Sequence, residues 1–216
     1  MAIFEGGTSL AAADVEASRK AIRTVIAPRG VGHCISSITG TIAAALGANS
    51  SVFTMKLDNS AGSILAFIER IRIQYTTIVA YTTPVTVGRR LVISRGSGVT
   101  LPTGGTALAV AAQKDSTSSP SEFNTAQGGD MRIASTGALT TTGTTFETQE
   151  FAAMSLTHVG AAGAFFEEVF EFATTESAPL ILQPGQVMAI RNPVAMDAAG
   201  TWQLAVRVDW HEAAAW

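Results

Sequence analysis

Trp202, Leu204, Val206, Val208 and Trp210 alternate without a break with Gln203, Ala205, Arg207, Asp209 and His211. A period of two over this length marks a strand with one buried face and one wetter face. Upstream, Leu180 to Ala195 reads as its antiparallel partner, joined to it through Asp197-Ala-Ala-Gly200, so that the two close a sheet. Glu69 to Tyr75 repeats the pattern, with Ile71, Ile73 and Tyr75 on one face and Arg70, Arg72 and Gln74 on the other. β-Branched or aromatic residues predict further strands at 35–46, 52–57, 64–79, 85–94, 107–111, 131–134, 144–148, 151–156, 165–174, 180–182 and 187–191. Gly47-Ala-Asn-Ser50, Gly96-Ser-Gly98, Thr103-Gly-Gly105, Gly128-Gly-Asp130 and Pro184-Gly-Gln186 are among the turns that separate them. Many short strands with this punctuation predict an all-β antiparallel β-sandwich of jelly-roll type.

Residues 1–30 read differently. Ser9 to Val25 has a capping Ser and apolar residues near helical spacing, yet Gly6-Gly7 and Pro28-Arg-Gly30 isolate it and its apolar stripe is broken. An extended N-terminal arm is favoured over a partly helical one, ahead of a sandwich domain spanning 31–216. Lys114 to Gly129 is too polar and turn-rich for a strand and predicts a long exposed loop, a candidate contact carrying Phe123.

Composition narrows the function classes. With 216 residues the chain is long enough for one large β domain, and a single Cys34 excludes an internal disulfide framework. Charged residues are 14% of the chain, well below the roughly 25% of an average soluble domain, as suits a subunit with neighbours or a compositionally biased genome. Of 14 basic residues only Lys20, Lys56 and Lys114 are lysines, and arginine is the better residue for interface ion pairs. A net charge of -3 gives no broad basic field for nucleic acid. No apolar run approaches the roughly 20 residues that span a bilayer. The first residues lack the basic and apolar regions of a signal peptide, so cytoplasmic synthesis is expected.

Catalytic and metal chemistry find little footing. His33, His158 and His211 stand apart without ligand spacing, so neither metal nor cofactor is expected. Glu147, Glu150, Glu167, Glu168 and Glu171 invite a glycosidase pair, but alternation puts Glu171 on a wet strand face. His33 and Cys34 are adjacent, and neighbours on a strand point to opposite faces, so a buried inert thiol is expected in place of a nucleophile. Arg70 and Arg72 with Arg89 and Arg90 on the following strand form either a basic ribbon that grips a partner's carboxylates or pairs with Glu and Asp inside the sheet, the latter preferred. Tyr81, Phe123 and Trp216 are the candidate exposed aromatics for a sugar surface.

Several stretches resemble tailed-bacteriophage virion proteins: Lys56-Leu-Asp-Asn-Ser-Ala-Gly62, Ile68-Glu-Arg-Ile-Arg-Ile-Gln-Tyr-Thr-Thr77, Arg90-Leu-Val-Ile-Ser-Arg-Gly-Ser-Gly98, Leu182 to Ala195, and the Trp-flanked last strand. Asp14 to Arg23 resembles the arm that precedes the sandwich in such proteins. The resemblance implies a non-enzymatic structural subunit, either a capsid decoration (cement) protein bridging capsomers or a fibre or adsorption subunit that binds a host receptor or glycan. It further implies partners in the major capsid protein or other virion subunits and a virion location. A homo-oligomer is expected, a trimer favoured, with no nucleic acid, membrane or small-molecule substrate. The interface candidates are Arg19, Lys20, Arg23, Arg70, Arg72, Arg89, Arg90, Phe123, Arg207, Asp209 and Trp216.

Overall fold

The computed structural model describes residues 5–6, 11–12, 14–16, 21–23, 31–57, 64–82, 89–108, 121–123, 128–156, 160–172 and 179–214. The chain divides into two compact units, Met1–Gly30 and Val31–Trp216. In the first, the described residues are extended: β1 (Glu5–Gly6) pairs with β2 (Ala11–Ala12), and β3 (Asp14–Glu16) with β4 (Ala21–Arg23). The other positions of the segment read as arm or helix, Arg19 and Lys20 included, lie outside the described residues.

The second unit is an antiparallel β-sandwich. Its strands are β5 (Val31–Ile38), β6 (Ser50–Lys56), β7 (Ile64–Val79), β8 (Arg90–Ser97), β9 (Thr106–Ala107), β10 (Asp130–Ile133), β11 (Thr145–Ser155), β12 (Phe165–Glu171), β13 (Leu180–Leu182), β14 (Gln186–Asn192) and β15 (Thr201–Ala214). One sheet has the order β12-β7-β15-β5, with β13 continuing the β12 side of β7. The other has the order β11-β8-β14-β6-β10-β9. Strand β5 pairs with β15, β6 with β14, β7 with β12 and β13, and β8 with β11. These pairs make one long antiparallel ribbon whose successive steps fall alternately in the two sheets. Rolling it up sets β15 beside β7 and β14 beside β8, which is jelly-roll topology.

The alternation read in β15 holds: Trp202, Leu204, Val206, Val208 and Trp210 are all buried. They meet Phe53, Met55, Ile93, Met188 and Ile190 of the opposite sheet in a single apolar cluster. Each large side chain so buried stabilises the fold by roughly 1.5–3 kcal/mol. The expected pairing of the last two strands does not hold. Strand β14 lies between β6 and β8, and β15 between β5 and β7, in opposite sheets. Periodicity specifies which face of a strand is buried, and each of these strands satisfies both of its backbone edges in the centre of its own sheet. The link between them tucks in Met196 and Asp197 as it crosses from one sheet to the other. The two segments expected at 144–148 and 151–156 form the single strand β11, whose register shifts between Phe146 and Glu150 and again before Ala152.

Candidate interaction site

On the sheet β12-β7-β15-β5 the pleat turns alternate side chains outward, and the register sets them in rows. Arg70 lies opposite Asp209, Arg72 opposite Arg207, and Cys34 and Ser36 follow on β5 opposite Asp209 and Arg207. Four of the sequence candidates, Arg70, Arg72, Arg207 and Asp209, are thus brought together on one face.

Two arginines directly opposite on neighbouring strands repel unless each is neutralised. Arg72 is drawn toward β12, where Nε lies 2.8 Å from Glu167 Oε1 and Nη2 donates to Oε2 at 2.9 Å. Gln74 Nε2 donates to the same Oε2 at 2.7 Å. Arg207 turns along its own strand, with Nη2 3.1 Å from Asp209 Oδ1. Arg70 reaches Asp209 Oδ2 from the other side through Nε at 3.0 Å and Nη2 at 2.9 Å. Burial works to raise the Asp209 carboxyl, but hydrogen bonds from Arg207 and Arg70 outweigh it and hold the group below the ordinary carboxylate range. Hydrogen bonds from Arg72 and then Gln74 likewise lower Glu167. Pairing inside the sheet therefore accounts for Arg70 and Arg72. The guanidiniums of Arg72 and Arg207 flank a dimple of about 150 Å³ floored by Ala205 and edged by Ser36 and Gln74.

Large apolar side chains share this face. Phe165 is 56% exposed, Val169 43%, Ile78 40% and Ile38 58%, all with the outward parity of Arg72 or Ser36. Alternation along β12, with Phe166 and Phe170 packed on the core, carries the signal for Phe165 and Val169. The expectation that Glu171 sits on the wet side also holds, since it is exposed.

Other candidates fall elsewhere. The ribbon joining Arg70 and Arg72 to Arg89 and Arg90 is corrected, because β7 and β8 belong to different sheets. Arg90 is exposed and pairs with Glu150 at 3.3 Å. Arg89 is no surface residue: it is buried, with Nη1 2.9 Å from Asp197 Oδ2 and its guanidinium 4.2 Å over the Tyr81 ring. That contact also withdraws Tyr81 from the set of exposed aromatics. Arg23 lies opposite Asp14 in the β3–β4 pair, and Trp216 and His158 are outside the described residues. Cys34 is half-buried on the outer face where a buried thiol was expected, because its backbone lies opposite Asp209.

Phe123 also turns inward. Its ring is fully buried and meets Trp210 edge-on at 5.7 Å, where exposure was expected. The anchor is completed by Glu212, whose carboxylate accepts from Ser121 Oγ at 2.6 Å, Glu122 N at 2.9 Å and Trp210 Nε1 at 2.8 Å. Gly129 lies tight against Glu122, because a Cβ there would stand 1.9 Å from Glu122 O.

His33 also stacks on Trp210, at 5.4 Å, with Nε2 4.0 Å from Glu212 Oε1. Desolvation lowers its pKa from 6.5, with Glu212 pulling the other way. The unfolded chain therefore takes up this proton first, and the stability held above pH 6.5 is lost as pH falls toward the lower folded value. Urea midpoints should drop between pH 7.5 and 5.5, and His33→Phe, which keeps the stack, should flatten that dependence. An unchanged slope in the variant would assign the effect to another group.

Among the described residues no group of three or more His, Cys, Asp or Glu side chains is placed to hold a metal ion. No protein-family model matches the sequence, and no curated protein matches it.

Proposed function

We propose that this chain is a non-enzymatic structural subunit of a tailed-bacteriophage virion, a capsid decoration or cement protein that bridges neighbouring capsomers through its arm and sandwich. The observation that carries the reading is the outer face of the β12-β7-β15-β5 sheet, where paired arginines lie among Phe165, Val169, Ile38 and Ile78. Arginine and aromatic residues are the types enriched at protein interfaces, and exposed apolar residues grouped on one face mark interaction surfaces. Arginines already held by carboxylates lose little side-chain freedom when a partner's carboxylate joins them. The alternative, a fibre or adsorption subunit that binds a glycan, draws on exposed aromatics. Of the aromatics considered for it, Tyr81 and Phe123 are committed to internal packing, and the exposed Phe165 lies on the face with the paired arginines.

The test is co-sedimentation with capsid shells. Arg72→Glu with Val169→Lys should reduce attachment at least tenfold while the purified protein keeps its β-rich circular dichroism spectrum. Deleting residues 1–25 should weaken attachment separately by removing the arm. Undiminished attachment by the face variant would overturn this assignment of the surface, and undiminished attachment by the deletion would remove the arm from the mechanism.

A further inference from the structure

Each sheet of the sandwich has two edges, and they are not treated alike. Strand β12 carries Glu167, Glu168 and Glu171 among seven residues, and Glu168 lies opposite core-facing Ile73. Strand β11 carries Glu147 and Glu150 and breaks register twice. Strand β9 has only two residues. Charges, inward-pointing carboxylates, bulges and short length are the devices by which folded proteins stop edges from pairing with other chains. Strand β5 has none of them. Its sequence, Val31-Gly-His-Cys-Ile-Ser-Ser-Ile38, holds no Lys, Arg, Asp, Glu or Pro, and it pairs with β15 over eight residues in unbroken register. Among the described residues its other side meets no strand.

The orientation of its backbone follows from one bond. Thr39 N donates to Leu204 O at 2.8 Å, so the odd-numbered residues of β5 turn their main-chain groups to β15. The N–H and C=O groups of the even-numbered residues, Gly32, Cys34, Ser36 and Ile38, point to the open side. Gly32 is buried, Cys34 is half-buried, and Ser36 and Ile38 are exposed, so the accessible stretch is Cys34 to Ile38.

We propose that this edge pairs with the β5 edge of a second copy of the chain, antiparallel about a two-fold axis at Ser36. This register sets Ser36 opposite the second copy's Ser36 and Cys34 opposite the second copy's Ile38, and it satisfies every accessible outward N–H and C=O on both strands. A second copy fits because the strand is uncharged and small at its centre: it meets no repulsion from itself, whereas two β12 edges would oppose glutamates. The half-buried Ile35, which packs at the rim of the core, gains cover from the same contact. The result is one continuous sheet, β12-β7-β15-β5 followed by its two-fold copy. The contact predicts a dimer or an even-numbered assembly in place of a trimer. It is independent of the virion reading.

Size-exclusion chromatography with light scattering on the full chain should find a dimer. Ser36→Pro removes only an outward N–H, a change edge strands tolerate, and should give a monomer. Ile38→Lys, which leaves the β15 ladder untouched, should weaken the dimer at least tenfold and stands in if the proline variant fails to fold. In the double variant Cys34→Ser with Ser36→Cys, facing residues about 5.5 Å apart at Cα suit a disulfide, so mild oxidation should yield a covalent dimer. The wild-type Cys34, four residues out of register with its copy, should not cross-link. A monomeric wild-type chain, a dimer indifferent to Ser36→Pro and Ile38→Lys, or failure of the double variant to cross-link would each overturn the proposal.

Discussion

Asp197→Ala is expected to cost the fold about 3–5 kcal/mol, because it leaves the Arg89 guanidinium buried without its carboxylate. The side chains of Arg89 and Asp197 are 6% and 1% exposed, and the pair spans 2.9 Å. Arg89 also lies over Tyr81, whose hydroxyl is 2.6 Å from that of Tyr75, and Tyr75 stacks on Trp202 at 5.2 Å. Burial pushes the Tyr81 hydroxyl up to about 12, so the group stays protonated and keeps this bond through any ordinary buffer. The pair thus joins the entry of β8 to the link between β14 and β15 through a polar thread that ends in the core. Replacing both partners, Arg89→Met with Asp197→Leu, should recover most of the loss, since a buried ion pair gains little over well-packed apolar groups of similar volume. Urea denaturation of the three proteins decides the matter. A single-variant loss below about 1 kcal/mol, the size of an exposed pair, would show that Arg89 finds water once Asp197 is gone.

The outcome at Arg89 marks how far the sequence could be read. Strands β7 and β15 were legible because each has one apolar and one polar face, and alternation reports that difference directly. Alternation also placed Arg70 and Arg72 on the polar face of one strand and Arg207 and Asp209 on that of another, without showing that the two faces meet. It is silent on which strand lies next to which, so β14 and β15 looked like partners, and Arg72 seemed close to Arg90. At the Arg89-Arg90 doublet consecutive residues must point to opposite sides, so one arginine had to turn inward. Its counter-ion lies 108 positions away, beyond the reach of any local pattern. Phe123 was readable in principle. One aromatic in an otherwise polar loop has more to gain from an apolar pocket than from water.

That pocket supplies the second large effect. Trp210→Ala should destabilise the sandwich by about 3–5 kcal/mol, as it removes the fully buried ring that both His33 and Phe123 contact and takes from Glu212 the indole donor at 2.8 Å. Trp210→Phe is the milder change. It keeps an aromatic ring for both neighbours but removes the N–H together with part of the indole's volume, so the loss should be smaller than that of the alanine variant while still carrying the cost of a buried carboxylate short of a donor. Phe123→Ala acts on the same contact from the loop side. It spares the alternating core face of β15, so its effect should appear in the anchor before it appears in the whole. Hydrogen exchange at the Glu122 amide, which donates to Glu212 at 2.9 Å, should accelerate strongly in Phe123→Ala, while the urea midpoint moves less than in Trp210→Ala. Equal midpoint shifts for the two alanine variants would mean that the anchor and the core unfold as one unit. In that case the segment at Phe123 belongs to the cooperative fold of the sandwich, as much as any of its strands.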